Sequence, residues 1–185
     1  MYHIKNDKRA QASSELICAG LLACMKGKPF ARITITDVQH ASTVSRSTFY
    51  RNFDCLEDVL ALLCDRGFQA VFTEYNALPP AQRGSLAKAV FQYWFRNSAV
   101  LETLVQIHRT DILFDSLRRS SGLIEALQPL ADNPARFDYF VAIITSAMIG
   151  VLTVWVEHGK TETEDQMVQK LTSAFIEMAI LELPV

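Results

Sequence analysis

Apolar residues recur every three or four positions along nearly the whole chain, and no strand-length alternation interrupts them, so the pattern predicts an all-α protein. The first helix is read at about residues 7–25, with Leu16, Ala19, Gly20, Ala23 and Cys24 on its apolar stripe. Gly27, which can take the left-handed conformation, and Pro29 are expected to stop it. Thr34, with Asp37 three positions on, resembles a capping box and opens a short helix expected to run to Ala41. Ser42, Thr43, Val44 and Ser45 form a polar break; Ser45 is a good N-cap, and residues 46–53 fill about two turns. Helical spacing resumes at Glu57 through Leu60, Leu63, Phe68 and Phe72 until Pro79 and Pro80 break it. Later helices are read at about 85–97, 98–108, 111–120 and 123–127, then a long one from Pro134 to about His158 and a last one at 162–183.

Residues 140–156 carry no charge and reach about the minimum length of a bilayer span. Thr145, Ser146, Gly150 and Thr153 interrupt them, and a helix apolar on nearly all sides reads as a domain centre or a subunit interface. Composition supports a folded chain of one domain or slightly more: 185 residues, 50% hydrophobic, 21% charged, with only 7 Gly and 6 Pro. The net charge of −2 hides an asymmetry. Residues 1–55 hold eight basic and four acidic side chains, a surplus of four positive charges, while the remainder is acidic.

The four cysteines show no C-x-x-C spacing, and His3, His40, His108 and His158 are scattered, so neither a metal site nor a cofactor is expected. Charges mix among the first residues in place of an apolar signal segment, which predicts a cytoplasmic protein with reduced thiols. From Leu78 onward no nucleophile elbow, phosphate-cradling glycine run or H-E-x-x-H occurs, and the expectation is a protein that is not an enzyme.

Segment 33–60 has the residue types of a helix-turn-helix. Val38, Ala41 and Val44 supply an inner side for the first helix and turn, and Phe49 and Phe53, four apart, that of the second. At about 100° per residue Arg46, Ser47, Tyr50 and Arg51 then point away from that pair, with Thr48 and Asn52 flanking them. Guanidinium groups, hydroxyls and an aromatic hydroxyl suit guanine edges and phosphate oxygens. On residue types alone Tyr50 and Phe53 also fit simple packing, since two-helix turns occur in proteins that never touch DNA.

This segment resembles the DNA-binding domain of the TetR family of one-component transcriptional regulators, through Thr34, Val38, Val44, Ser45, Thr48, Tyr50, Phe53, Glu57 and Val59 or Leu60, about 50 of the 185 residues. The resemblance implies an N-terminal three-helix DNA-binding domain at 1–55 and a C-terminal helical bundle at 56–185 for ligand binding and dimerisation. It also implies a homodimer on double-stranded operator DNA, with Thr48 and Tyr50 on phosphate and groove, Arg46 and Ser47 near bases, and Thr36 near the backbone; Thr34 is a further DNA-binding candidate. Arg51 and Asn52 join them as candidates. Three positions depart from the family pattern: Thr43 stands where a turn glycine is usual and is expected to alter the turn locally, Leu56 replaces a lysine, and Gln39 replaces an alanine.

For the C-terminal part the resemblance implies an effector pocket, for which Phe68, Tyr93, Trp94, His108 and Met148 are the candidates, His108 as the polar handle. The last two helices are the candidate dimer interface, with Ile149, Trp155, Leu171, Phe175 and Met178 on it and Gly150 permitting close approach. The function expected is a dimeric DNA-binding regulator, a repressor whose operator affinity a small molecule modulates. The alternatives are a helical interaction module of the same fold without strong DNA binding and an all-helical enzyme.

Overall fold

The computed structural model describes residues 2–127 and 132–181, and among these every regular element is helical. Helix α1 (Lys8–Gly27) starts where the Asp7 carboxylate accepts the N–H groups of Arg9 and Ala10 at 3.0 and 2.8 Å. It ends through an extended Lys28 whose N–H reaches the Cys24 carbonyl. Gly27 therefore does not adopt the left-handed conformation expected of it; the stop comes from Pro29, which favours an extended residue before it.

Helix α2 (Ile35–Ser42) opens with the expected box, in which Asp37 N–H donates to Thr34 Oγ1 and Thr34 N–H donates back to the Asp37 carboxylate at 2.7 Å. Helix α3 (Arg46–Asn52) follows three residues later, and α4 (Leu56–Ala77) runs up to Leu78-Pro79. Then come α5 (Leu86–Arg96), α6 (Ser98–Gln106), α7 (Thr110–Ser120), α8 (Pro134–Glu157) and α9 (Glu164–Leu181). The helix expected at 123–127 is replaced by two single 3₁₀ turns, Ser121–Leu123 and Glu125–Leu127, because Ile124 between them is extended.

Helix α4 is the spine. It packs on α1 on the N-terminal side and on α5, α6 and α7 on the other, while α8 lies on α7 and α6 and α9 on α5 and α8. One apolar core runs without a gap from Ile17 of α1 through Phe68 and Trp94 to Leu171 of α9. Helix α8 is long and apolar enough to cross a membrane by length and composition alone. Here its Met148, Ile149, Leu152 and Trp155 close this core.

A polar tie joins the two ends of the fold. Asp65 of α4 accepts hydrogen bonds from Tyr2 Oη at 2.5 Å, from Ser116 of α7 and from Arg119 at 2.8 Å. The same N-terminal arm donates the His3 N–H to the Asn52 carbonyl at 2.9 Å, so it lies against the end of α3.

Candidate nucleic-acid interface

The outward face of α3 follows from what its inward face buries. Phe49 and Phe53 sink fully into the core with Val38, their rings 5.7 Å apart, and this fixes the rotation of the helix. Arg46, Ser47, Tyr50 and Arg51 then stand in solvent, with Tyr50 43% exposed in spite of its size. The Arg46 guanidinium lies 5.6 Å from the centre of the Tyr50 ring, a cation–π contact that holds both groups over one patch. Ser45 Oγ caps the helix by accepting the Thr48 N–H at 3.3 Å and lies 2.9 Å from Thr48 Oγ1, forming a hydroxyl cluster at the helix start.

Two inner positions differ from the sequence reading. Ala41 is exposed, and Ser42 is buried in its place, because α1 meets α2 at Gly20: a methyl group there would lie 2.8 Å from Ser42 Cβ. Asn52, read as flanking the outward face, is only 1% exposed. Its side-chain amide donates to the Thr48 carbonyl at 2.9 Å and its own carbonyl is taken by His3, so its polar groups are used inside the fold.

The turn keeps its form without glycine. Thr43 adopts the left-handed conformation at φ 57° and ψ 17°, and its hydroxyl donates to the Ser42 carbonyl at 2.7 Å. The expectation that a β-branched residue would change the turn is corrected: the backbone accepts a strain of about 1–3 kcal/mol instead. Leu56, where the resemblance leads one to look for a lysine, is buried in the core. Thr36 is exposed on α2, and Thr34 is exposed but committed to its cap.

Charge around this face is unbalanced in a specific way. On the body of the molecule Arg83 sits on Glu125, Lys88 on Asp165, Arg109 on Asp111, Arg119 on Asp65 and Lys160 on Glu102, while Arg96, Arg118 and Arg136 have no carboxylate within salt-bridge distance among the described residues. Lys5, Lys8, Arg9, Arg46 and Arg51 have no carboxylate within salt-bridge distance among the described residues. Lys5, Arg9 and Ser13 line one cleft of about 310 Å³ with Thr48 and Arg51, and Asp7 is its one carboxylate among the described residues, so arm, α1 and α3 bring three cations together around it. Sequence reasoning counted Lys5 and Arg9 only in the overall surplus; their place beside α3 depends on the fold of the arm. Within the motif, the Lys28 ammonium 2.6 Å from Asp37, and then the Thr34 hydrogen bonds, hold the Asp37 carboxyl well below the usual carboxylate range.

The C-terminal part holds an apolar cavity of about 280 Å³ between α4, α5, α7 and α8. Of the residues read as pocket candidates, Met148 is in its wall. Tyr93 and Trp94 flank a separate surface cleft near α6, Phe68 is buried between Phe72 and Trp94, and His108 is exposed in the α6–α7 turn at φ 57°. These five do not form one site. Of the interface candidates, Ile149, Trp155 and Leu171 are buried within the chain, Trp155 stacking on Phe95 at 4.0 Å. Phe175 is half-buried and Met178 exposed, and the large apolar side chains that α8 and α9 leave in solvent among the described residues are Tyr139, Phe140, Ile143, Val154, Ile176, Met178 and Ile180.

This arrangement defines an all-helical helix-turn-helix protein with a helical bundle behind it. Residues 85–177, half of the chain, match the TetR C-terminal model described as the C-terminal region of transcriptional regulators. The chain belongs to the TetR family of transcriptional regulators. Among solved structures, Lin0861 from Listeria innocua superimposes at a TM-score of 0.74 with 17% identity, over 95% of this chain and 96% of its own. A TetR transcriptional regulator from Streptococcus agalactiae 2603V gives 0.60 with 17% identity, over 91% and 96%. Both share the fold. No curated protein sequence matches the chain.

Proposed function

We propose that the protein is a homodimeric repressor that binds a roughly palindromic operator through α3 and releases it when a small molecule occupies the cavity of its C-terminal part. The observation that carries the DNA-binding half is the exposed α3 face, where Arg46, Ser47, Tyr50 and Arg51 project opposite a fully buried Phe49 and Phe53, beside Lys5 and Arg9, which no carboxylate pairs within salt-bridge distance among the described residues. Such cations attract phosphate at long range, and the α3 side chains have the donors that read base edges in a major groove. In this reading residues 1–55 are the DNA-binding unit and carry all of these groups.

Dimerisation supplies the second α3. The exposed Ile143, Val154, Ile176, Met178 and Ile180 on α8 and α9 give a second copy an apolar surface, and two helices from each chain make a four-helix interface. The effector acts by population shift: it binds tighter when the two α3 helices are too far apart for successive grooves, and weakens operator binding by its differential affinity, typically ~1–3 kcal/mol. Free thiols at Cys18 and Cys64 agree with a cytoplasmic site of action.

The test is selection of bound DNA from genomic fragments, followed by affinity measurement on a selected fragment at two salt concentrations. Affinity that falls steeply as salt rises, with selectivity over random DNA, is the expected result. A flat, weak response would leave the chain an interaction module with a regulator's fold.

A further inference from the structure

We infer that the cavity between α4, α5, α7 and α8 takes an uncharged, mainly hydrocarbon ligand with one hydrogen-bonding group, and that the Thr145 hydroxyl is the group that recognises it. This rests on the reading of the cavity as the effector site and specifies what the effector is.

The walls are apolar: Phe72, Val90, Leu117, Ile144 and Met148 face the space, and among the described lining residues none is ionisable. A charged ligand would lose its hydration there and find no counter-ion, so ions are selected against. Three hydroxyls reach the cavity, those of Ser85, Ser121 and Thr145, and two are already engaged. Ser85 Oγ caps α5 by accepting the Lys88 N–H at 3.3 Å, and Ser121 Oγ donates to the Arg118 carbonyl at 2.7 Å.

Thr145 differs. It is 1% exposed, and among the described residues its hydroxyl has no hydrogen-bond partner. Hydroxyl residues inside helices ordinarily donate to the carbonyl four positions back, and this chain follows that habit elsewhere: Thr103 to Ala99, Ser146 to Ala142, Thr153 to Ile149 and Thr172 to Val168. A hydroxyl that makes no bond within the protein and opens onto an otherwise apolar cavity wall is free to bond a ligand's polar atom there. A volume of about 280 Å³, at the lower end for small-molecule sites, fits a compact molecule such as a substituted single ring.

The experiment uses the full chain without DNA, with phenylnaphthylamine as a neutral fluorescent probe and three competitors of one framework: butylbenzene, para-butylphenol and para-butylbenzoate. At about pH 7 only the benzoate is charged. The phenol and butylbenzene are expected to displace the probe, the benzoate about tenfold or more weakly. Thr145→Val is expected to weaken the phenol about fivefold and leave butylbenzene unchanged, and Thr145→Ser to restore the phenol. Ala87→Phe, which fills the cavity, should abolish displacement. Tighter binding of the benzoate, equal losses of phenol and butylbenzene in Thr145→Val, or probe binding that survives Ala87→Phe would overturn the assignment. Operator affinity with and without the phenol is a separate reading: no change there defeats effector control and leaves the ligand class standing.

Discussion

Single residues carry both the exposed donors of α3 and the strain of the turn before it. Arg46 is exposed and held over Tyr50, so Arg46→Ala is expected to lower affinity for a selected operator by about 1–3 kcal/mol while leaving random DNA nearly unchanged in competition binding assays. Equal losses on both would place this arginine on phosphate. Thr43 pays for a tight turn with a left-handed backbone that glycine adopts freely. Thr43→Gly is therefore expected to raise the unfolding free energy by about 1 kcal/mol in denaturant titration, less whatever glycine adds to the entropy of the unfolded chain. These positions were legible in the sequence because caps, turns and helix faces depend on residues within one or two turns. Asn52 was not: its rotation about α3 left it at the edge of the outward face, and only the arm passing over it through His3 decided that it would be buried.

At the scale of elements, the helix-turn-helix is held by contacts between α1 and α2 as much as by its own turn. Gly20→Ala should push the two helices apart at Ser42, lowering stability by about 1–3 kcal/mol and operator affinity with it, read by thermal melts and by titration on the same sample. The start of α2 also links to pH. Asp37 titrates lower in the folded protein than in the unfolded chain, so its contribution is full above the ordinary Asp range and is lost as pH falls from that range through the depressed folded-state value. Melting temperatures of the wild type and Asp37→Asn should accordingly differ near neutrality and converge in acid; parallel curves would refute the link. The capping box was plain in the spacing of Thr34 and Asp37. The replacement of a helix at 123–127 by two separate turns was not, since periodicity in so short a stretch cannot tell one from the other.

For the molecule as a whole, α8 and α9 carry most of the large apolar side chains left exposed among the described residues, Ile143 and Ile176 among them. Ile143→Glu combined with Ile176→Glu is expected to yield a folded monomer by light scattering, with an unshifted or slightly raised melting temperature at low concentration and no measurable operator binding. A double variant that still dimerises would move the interface elsewhere. The sequence named Ile149, Trp155 and Leu171 for an interface, and the chain covers these three by itself; a helix apolar on nearly every side does not reveal which side its own neighbours take.

What the sequence determined alone is everything set by short-range chemistry: an all-helical chain, its helix starts and stops to within a few residues, the outward face of α3, and the surplus of positive charge toward the N-terminus. Tertiary structure decided which distant groups meet. It set Lys5 and Arg9 beside Arg51, tied Tyr2, Ser116 and Arg119 to Asp65, and left Thr145 facing an apolar cavity while His108 stayed in solvent. Periodicity gives each helix a buried stripe, but the packing partner of that stripe lies up to a hundred residues away, and no local pattern encodes it.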